Sequence, residues 1–113
     1  LGGPEMEEEV TMDGHRLRFR TWTHGEKKRA FSKAVKINPE TGKPEIDPWI
    51  LNDEMLAASL TEWDLKDKNG RVLPITVETL ESLDEAEYGD LIHEMVRFAQ
   101  ELNRVSEAER KKS

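Results

Sequence analysis

Residues 63–74, Trp63-Asp64-Leu65-Lys66-Asp67-Lys68-Asn69-Gly70-Arg71-Val72-Leu73-Pro74, constrain this chain more than any other stretch. Asn69-Gly70 is a strong reversal signal, because both residue types tolerate positive φ. A helix-like apolar pattern precedes the reversal and a longer one follows Pro74. The turn therefore fixes how two helical segments face one another.

The segments on either side can be read from their spacing. Val10 and Met12 lead into Asp13-Gly14, a hairpin dipeptide. Leu17 and Phe19 then alternate with Arg16, Arg18 and Arg20, as in a strand with one buried face. Residues 23–37 predict a helix. Thr23 and Glu26 stand in capping-box positions, and Ala30, Phe31, Ala34 and Val35 follow helical spacing. Its other side is basic, with Lys27, Lys28, Arg29, Lys33 and Lys36. Residues 38–48 hold Asn-Pro, Thr-Gly, Lys-Pro and Asp-Pro and predict a loop. Residues 49–63 predict a second helix capped by Asn52 or Asp53, with a strand as the alternative for residues 49–51. Beyond the central turn, Thr76 and Asp84 are caps for a short helix and for a long one over residues 85–103. Tyr88, Leu91, Ile92, Met95, Ala99 and Leu102 form the apolar stripe of the long helix.

The expected fold class is α+β: a mostly helical small single domain with an N-terminal β-hairpin and a central turn. Its 113 residues suit one domain, divided as a disordered tail (1–9), a globular part (10–103) and a charged tail (104–113). The expected core is Phe19, Phe31, Leu56, Leu60, Trp63, Leu80, Leu91, Ile92 and Met95. Val96 and Phe98 flank the long helix's stripe and exceed what so small a domain readily buries. Met95, Val96, Phe98 and Leu102 are accordingly the candidate partner-binding residues.

Composition excludes several function classes. A net charge of −7 repels phosphate backbones and anionic lipid unless a local basic patch intervenes. No apolar run reaches the roughly 20 residues that span a bilayer. With no basic-then-apolar leader pattern, a cytoplasmic location is expected. The absence of cysteine removes disulfides, thiolate catalysis and cysteine zinc sites. His93-Glu94 starts like a zinc-protease motif, but Arg97 stands where the second histidine belongs. Asp67-Lys68-Asn69-Gly70 resembles part of a calcium loop, but Leu65 and Thr76 occupy the outer ligand positions. No phosphate-cradling glycine loop and no nucleophile–base pattern is present. The residues imply no catalytic site, no cofactor and no metal, and the chain reads as a non-enzyme.

One resemblance goes further. Trp63, Leu65, Asp67 and Gly70, followed by Leu73, Pro74, Thr76, Glu78, Leu80 and Leu83, resemble a pattern common in the tail assembly chaperones of long-tailed bacteriophages and prophages. The segment 16–23 leading into a helix, and residues 55–65 entering the turn, are similar as well. The likeness covers mainly residues 55–98. It implies a non-enzymatic protein that binds the tape measure protein and tail tube subunits in the cytoplasm of the infected host, and is missing from the mature virion. Self-association fits such a role. Two other readings stay open: a structural tail or head–tail connector protein retained in the virion, and a small nucleic-acid-binding regulator using Arg16, Arg18, Arg20 and the basic helix.

Overall fold

The computed structural model describes residues 7–112, with side chains as far as Val105. Strands β1 (Glu7–Met12) and β2 (His15–Arg20) form the first hairpin. Asp13 and Gly14 both carry positive φ, 49° and 79°, giving the two-residue turn whose twist matches the strands. Pairing runs from Glu7↔Arg20 to Met12↔His15. Residues 7–9, expected within the tail, are therefore strand. They pair across the ladder with the arginine-bearing end of β2, and Glu9 accepts from Arg16 at 3.0 Å and Arg18 at 3.5 Å. The rest of that expected tail lies outside the described residues.

Helix α1 (His24–Ala34) opens on the expected capping box, with Glu26 N donating to Thr23 Oγ1 and Thr23 N donating to Glu26 Oε1. It stops short of the expected Ile37. Val35–Ile37 instead forms β3, paired antiparallel with β4 (Pro44–Ile46). β-Branched Val35 and Ile37 favour this over a last helical turn. Asn38 N donates to Lys43 O, Gly42 N donates to Asn38 O, and Gly42 takes φ +71°, so the expected loop is largely a second hairpin. Helix α2 (Pro48–Ser59) starts earlier than expected. Its cap is Asp47, whose carboxylate accepts from Trp49 N and Ile50 N, with Pro48 at the first helical position.

The expected second helix also ends early. Leu60–Glu62 is β5, which pairs with β2 and gives the sheet order β1-β2-β5. The central turn follows. Gly70 N donates to Asp67 O at 3.1 Å, Asp67 N donates to Arg71 O at 2.8 Å, and Leu73 N donates to Leu65 O at 2.8 Å. Gly70, not Asn69, carries the positive φ, at +80°. Asp67 Oδ1 accepts from Asn69 N and Arg71 N and fixes the turn from inside. Thr76 then caps α3 (Val77–Ser82), and Asp84 caps α4 (Glu85–Lys112) through Glu87 N. Because α4 runs through Asn103 to Lys112, the expected boundary at residue 103 is not a helix end.

The fold is α+β, with four helices and two small sheets among the described residues. The core joins Leu17 and Phe19 of β2, Met55 and Leu56 of α2, Leu60, Trp63 and Leu65 around the turn, Leu80 of α3, and Leu91, Met95, Ala99 and Leu102 of α4. Trp63 anchors the turn to this core, its indole N–H donating to Leu73 O at 2.7 Å. Two expected core residues differ. Ile92 is half-buried at the core's edge. Phe31 is 37% exposed, because α1 buries Ala30 and Ala34, and its next position turns away.

Candidate interaction surface

Helix α4 carries all four candidate residues. Its i, i+3, i+4 stripe points inward: Met95 is fully buried, which removes it from the free surface, and Leu102 is nearly so. Val96 and Phe98 are half-buried against the same core. The Phe98 ring packs on Phe19 with centroids 4.8 Å apart. The apolar excess expected on this helix is thus largely covered by the N-terminal sheet, through Phe19 of β2 with Val10 and Met12 of β1 packed on the same core.

What α4 leaves open lies along the flanks of its second half. On one flank, Phe98, Leu102 and Val105 meet Glu8 and Glu101 around a cavity of about 130 Å³. Beside it a wider concavity of about 700 Å³ runs between Met12, Phe98 and a polar rim of Glu94, Arg97, Gln100, Glu101 and Arg104. On the other flank, Trp22, Phe31, Leu51 and Met55 floor a groove of about 210 Å³, rimmed by Lys27, Gln100 and Arg104. Of the four candidate residues, only Phe98 and Leu102 border these hollows. Trp22, Phe31 and Leu51 were not expected there. Their exposure depends on how α1, α2 and α4 converge, and no single helical period carries that information.

The groove's inner wall is held by one polar node. Asn103 Oδ1 accepts from Trp22 N at 3.0 Å, and its Nδ2 donates to Ser59 Oγ at 3.2 Å. One buried amide thus ties the end of β2, the end of α2 and α4 together.

The titratable groups are arranged for structure. Glu26 is lowered to about 2, chiefly by the Arg20 guanidinium that donates to both its oxygens; burial opposes this, and Thr23 N adds to it. Burial pushes Asp64 up, but the N–H of Arg16 and the ring of His15 at 2.7 Å outweigh it and leave the carboxyl below its usual value. This pair clasps the start of β2 to the central loop, a role for His15 absent from the sequence reading. Asp53 is raised by burial, with Glu81 and Glu54 adding to it. Arg16 and Arg18 pair with Glu9, Arg18 also approaches Glu62, and Arg20 pairs with Glu26, so the arginine row is largely neutralised within the fold. Among the described residues no three of His, Asp and Glu converge as metal ligands, and no helix is long and apolar enough to cross a membrane.

Comparison with protein-family models, with curated proteins and with solved structures returns no match.

Proposed function

We propose that the chain is a non-enzymatic tail assembly chaperone of a long-tailed bacteriophage or prophage. It would bind the tape measure protein and tail tube subunits in the host cytoplasm and stay out of the finished virion. The observation that carries this reading is the unity of the pattern from Trp63 to Leu83. Most of its spaced residues take part in a single folded unit. Trp63 bonds Leu73, Asp67 and Gly70 make the turn, Thr76 caps α3, and Leu80 enters the core. The shallow apolar-floored hollows beside α4 also suit a helical client whose apolar stripe must be masked.

Co-expression tests the reading. The tape measure protein encoded near this chain should stay soluble with it and precipitate without it, and mass spectrometry of purified virions should not find the chain. A tape measure protein that precipitates regardless overturns the proposal. Recovery of the chain in virions favours a structural tail or head–tail connector protein instead. The internally paired arginine row argues against the nucleic-acid reading, and tight, salt-sensitive DNA binding would reverse that judgement.

A further inference from the structure

The first sheet has one long free edge. Its order is β1-β2-β5, so β1 and β5 are the outer strands, and β5 has three residues against six for β1. The pair flanking a two-residue hairpin turn, here Met12↔His15, exchanges backbone hydrogen bonds, and bonded and unbonded pairs alternate from there. The N–H and C=O groups of Thr11, Glu9 and Glu7 therefore point away from β2. Among the described residues they have no partner, and all three residues are exposed. Such an edge is a template for another strand.

A trough lies beside it. Glu94, Arg97, Phe98, Glu101, Leu102 and Val105 recur at three- and four-residue steps and share one side of α4. With Glu8 and Met12 of β1 they line the hollows of about 130 Å³ and 700 Å³. No residue of β2 or β5 lines either hollow, which sets both on the outer side of β1. Strand alternation turns Glu8, Val10 and Met12 toward α4 and Glu7, Glu9 and Thr11 toward solvent. A strand laid along β1 would likewise turn alternate side chains onto Phe98, Leu102 and Val105.

Charge selects that strand. Glu9 is taken by Arg16 and Arg18, and Glu101 by Arg104. Glu7, Glu8 and Glu94 form no ion pair among the described residues, against Arg97 beside them. The edge thus stays acidic after its internal pairs are taken into account.

We propose that β1 accepts an extended segment of another protein as a fourth strand, with apolar side chains toward α4 and lysine or arginine between them. Backbone bonds to Thr11, Glu9 and Glu7 would supply affinity, and the trough would choose the side chains. The site does not depend on the assembly role proposed above, and it leaves the groove between Trp22 and Phe31 open to a helical client.

A labelled synthetic peptide of about eight residues, alternating valine and lysine, tests this with the full chain. Fluorescence anisotropy should show saturable binding that weakens with added salt. Two further peptides carry N-methyl groups on the lysine amides or on the valine amides. One of them, the form methylated on the side that meets β1, should bind about tenfold more weakly or worse. Thr11→Pro removes an outward donor and leaves the ladder to β2 intact, so it should weaken binding in a protein whose circular dichroism is unchanged. Glu7→Lys with Glu8→Lys should weaken it as well. Hydrogen exchange at the Thr11 and Glu9 amides should slow when the unmodified peptide is bound. Equal binding by all three peptides overturns the proposal, as does exchange at those amides that the peptide leaves unchanged. So does a folded Thr11→Pro or Glu7→Lys/Glu8→Lys protein that binds like wild type. Protection of the two amides that grows with protein concentration alone would mean that a second copy takes the edge, and also overturns it.

Discussion

Asn103 shows what a single residue contributes to this fold beyond its helical propensity. Its amide satisfies Trp22 N, which is partly buried, and Ser59 Oγ, which is wholly buried. Asn103→Leu keeps the volume but leaves both groups without this partner. It should destabilise the chain by about 1–3 kcal/mol in urea unfolding, whereas Arg104→Leu next to it should change little. Trp63 is a second such point. Trp63→Phe keeps an apolar ring but loses the bond to Leu73 O and should cost about 1–2 kcal/mol; Trp63→Ala, which also leaves a cavity, should cost about 3–5 kcal/mol. An unchanged melting temperature for Trp63→Ala would show that the turn does not anchor the core. The residues legible from sequence are those whose partners are near in the chain: Thr23 with Glu26, Thr76 with Thr79, and Asp84 with Glu87. Asn103 was not legible, because its partners lie 44 and 81 positions away.

Among the elements, the first hairpin, the central turn and the starts of α1, α3 and α4 could be read ahead, and the three-residue strands could not. β3 and β5 each continue a helix without a break in apolar spacing. A strand that short cannot display a period of two. The start of α2 was legible in principle, since Asp47-Pro48 is a cap followed by a first-turn proline, but the density of prolines masked it. The candidate site was legible only as a helix: spacing placed Met95 and Leu102 on the core-facing stripe of α4 but could not decide that Phe98 is covered by Phe19 of β2. This separates two variants. Phe98→Ser removes a ring packed on Phe19 and should lower stability by about 2–4 kcal/mol, weakening any client binding only through unfolding. Phe31→Ser acts on a groove residue outside the main core and should cost under about 1 kcal/mol, yet reduce the amount of tape measure protein kept soluble. Thermal melts and co-expression yields, measured on both variants, distinguish a covered ring from a working one. A Phe31→Ser protein that melts normally and keeps its client soluble would remove that groove from the proposed surface.

At the scale of the whole molecule, acid should act through the carboxylates that the fold has paired. Arg20 holds Glu26 at about 2 against an ordinary value of 4.5, burial opposing. Asp47, Asp64 and Glu101 also lie below their usual values, with Lys36 acting on Asp47 and Arg104 on Glu101. An acid lowered on folding stabilises the native state at pH above its unfolded value, and that contribution drains away as pH falls through the folded value. Asp53 has the opposite sign: burial raises it, so its protonation favours the folded state as acid is added. The lowered groups outnumber it, and stability should decline below about pH 5. Glu26→Gln isolates the largest contribution, because glutamine still fits the capping box but cannot form the ion pair with Arg20. The Arg20–Glu26 side chains are only about one-fifth exposed, so some attraction survives solvent screening. At neutral pH the variant should be less stable than wild type by on the order of 1–2 kcal/mol. The gap should hold down to about the ordinary glutamate value of 4.5, narrow below it, and close near pH 2, where wild-type Glu26 is itself losing its charge. Urea unfolding at several pH values reads this directly. Two parallel stability curves down to that pH would mean that the Arg20–Glu26 pair does not supply the acid sensitivity.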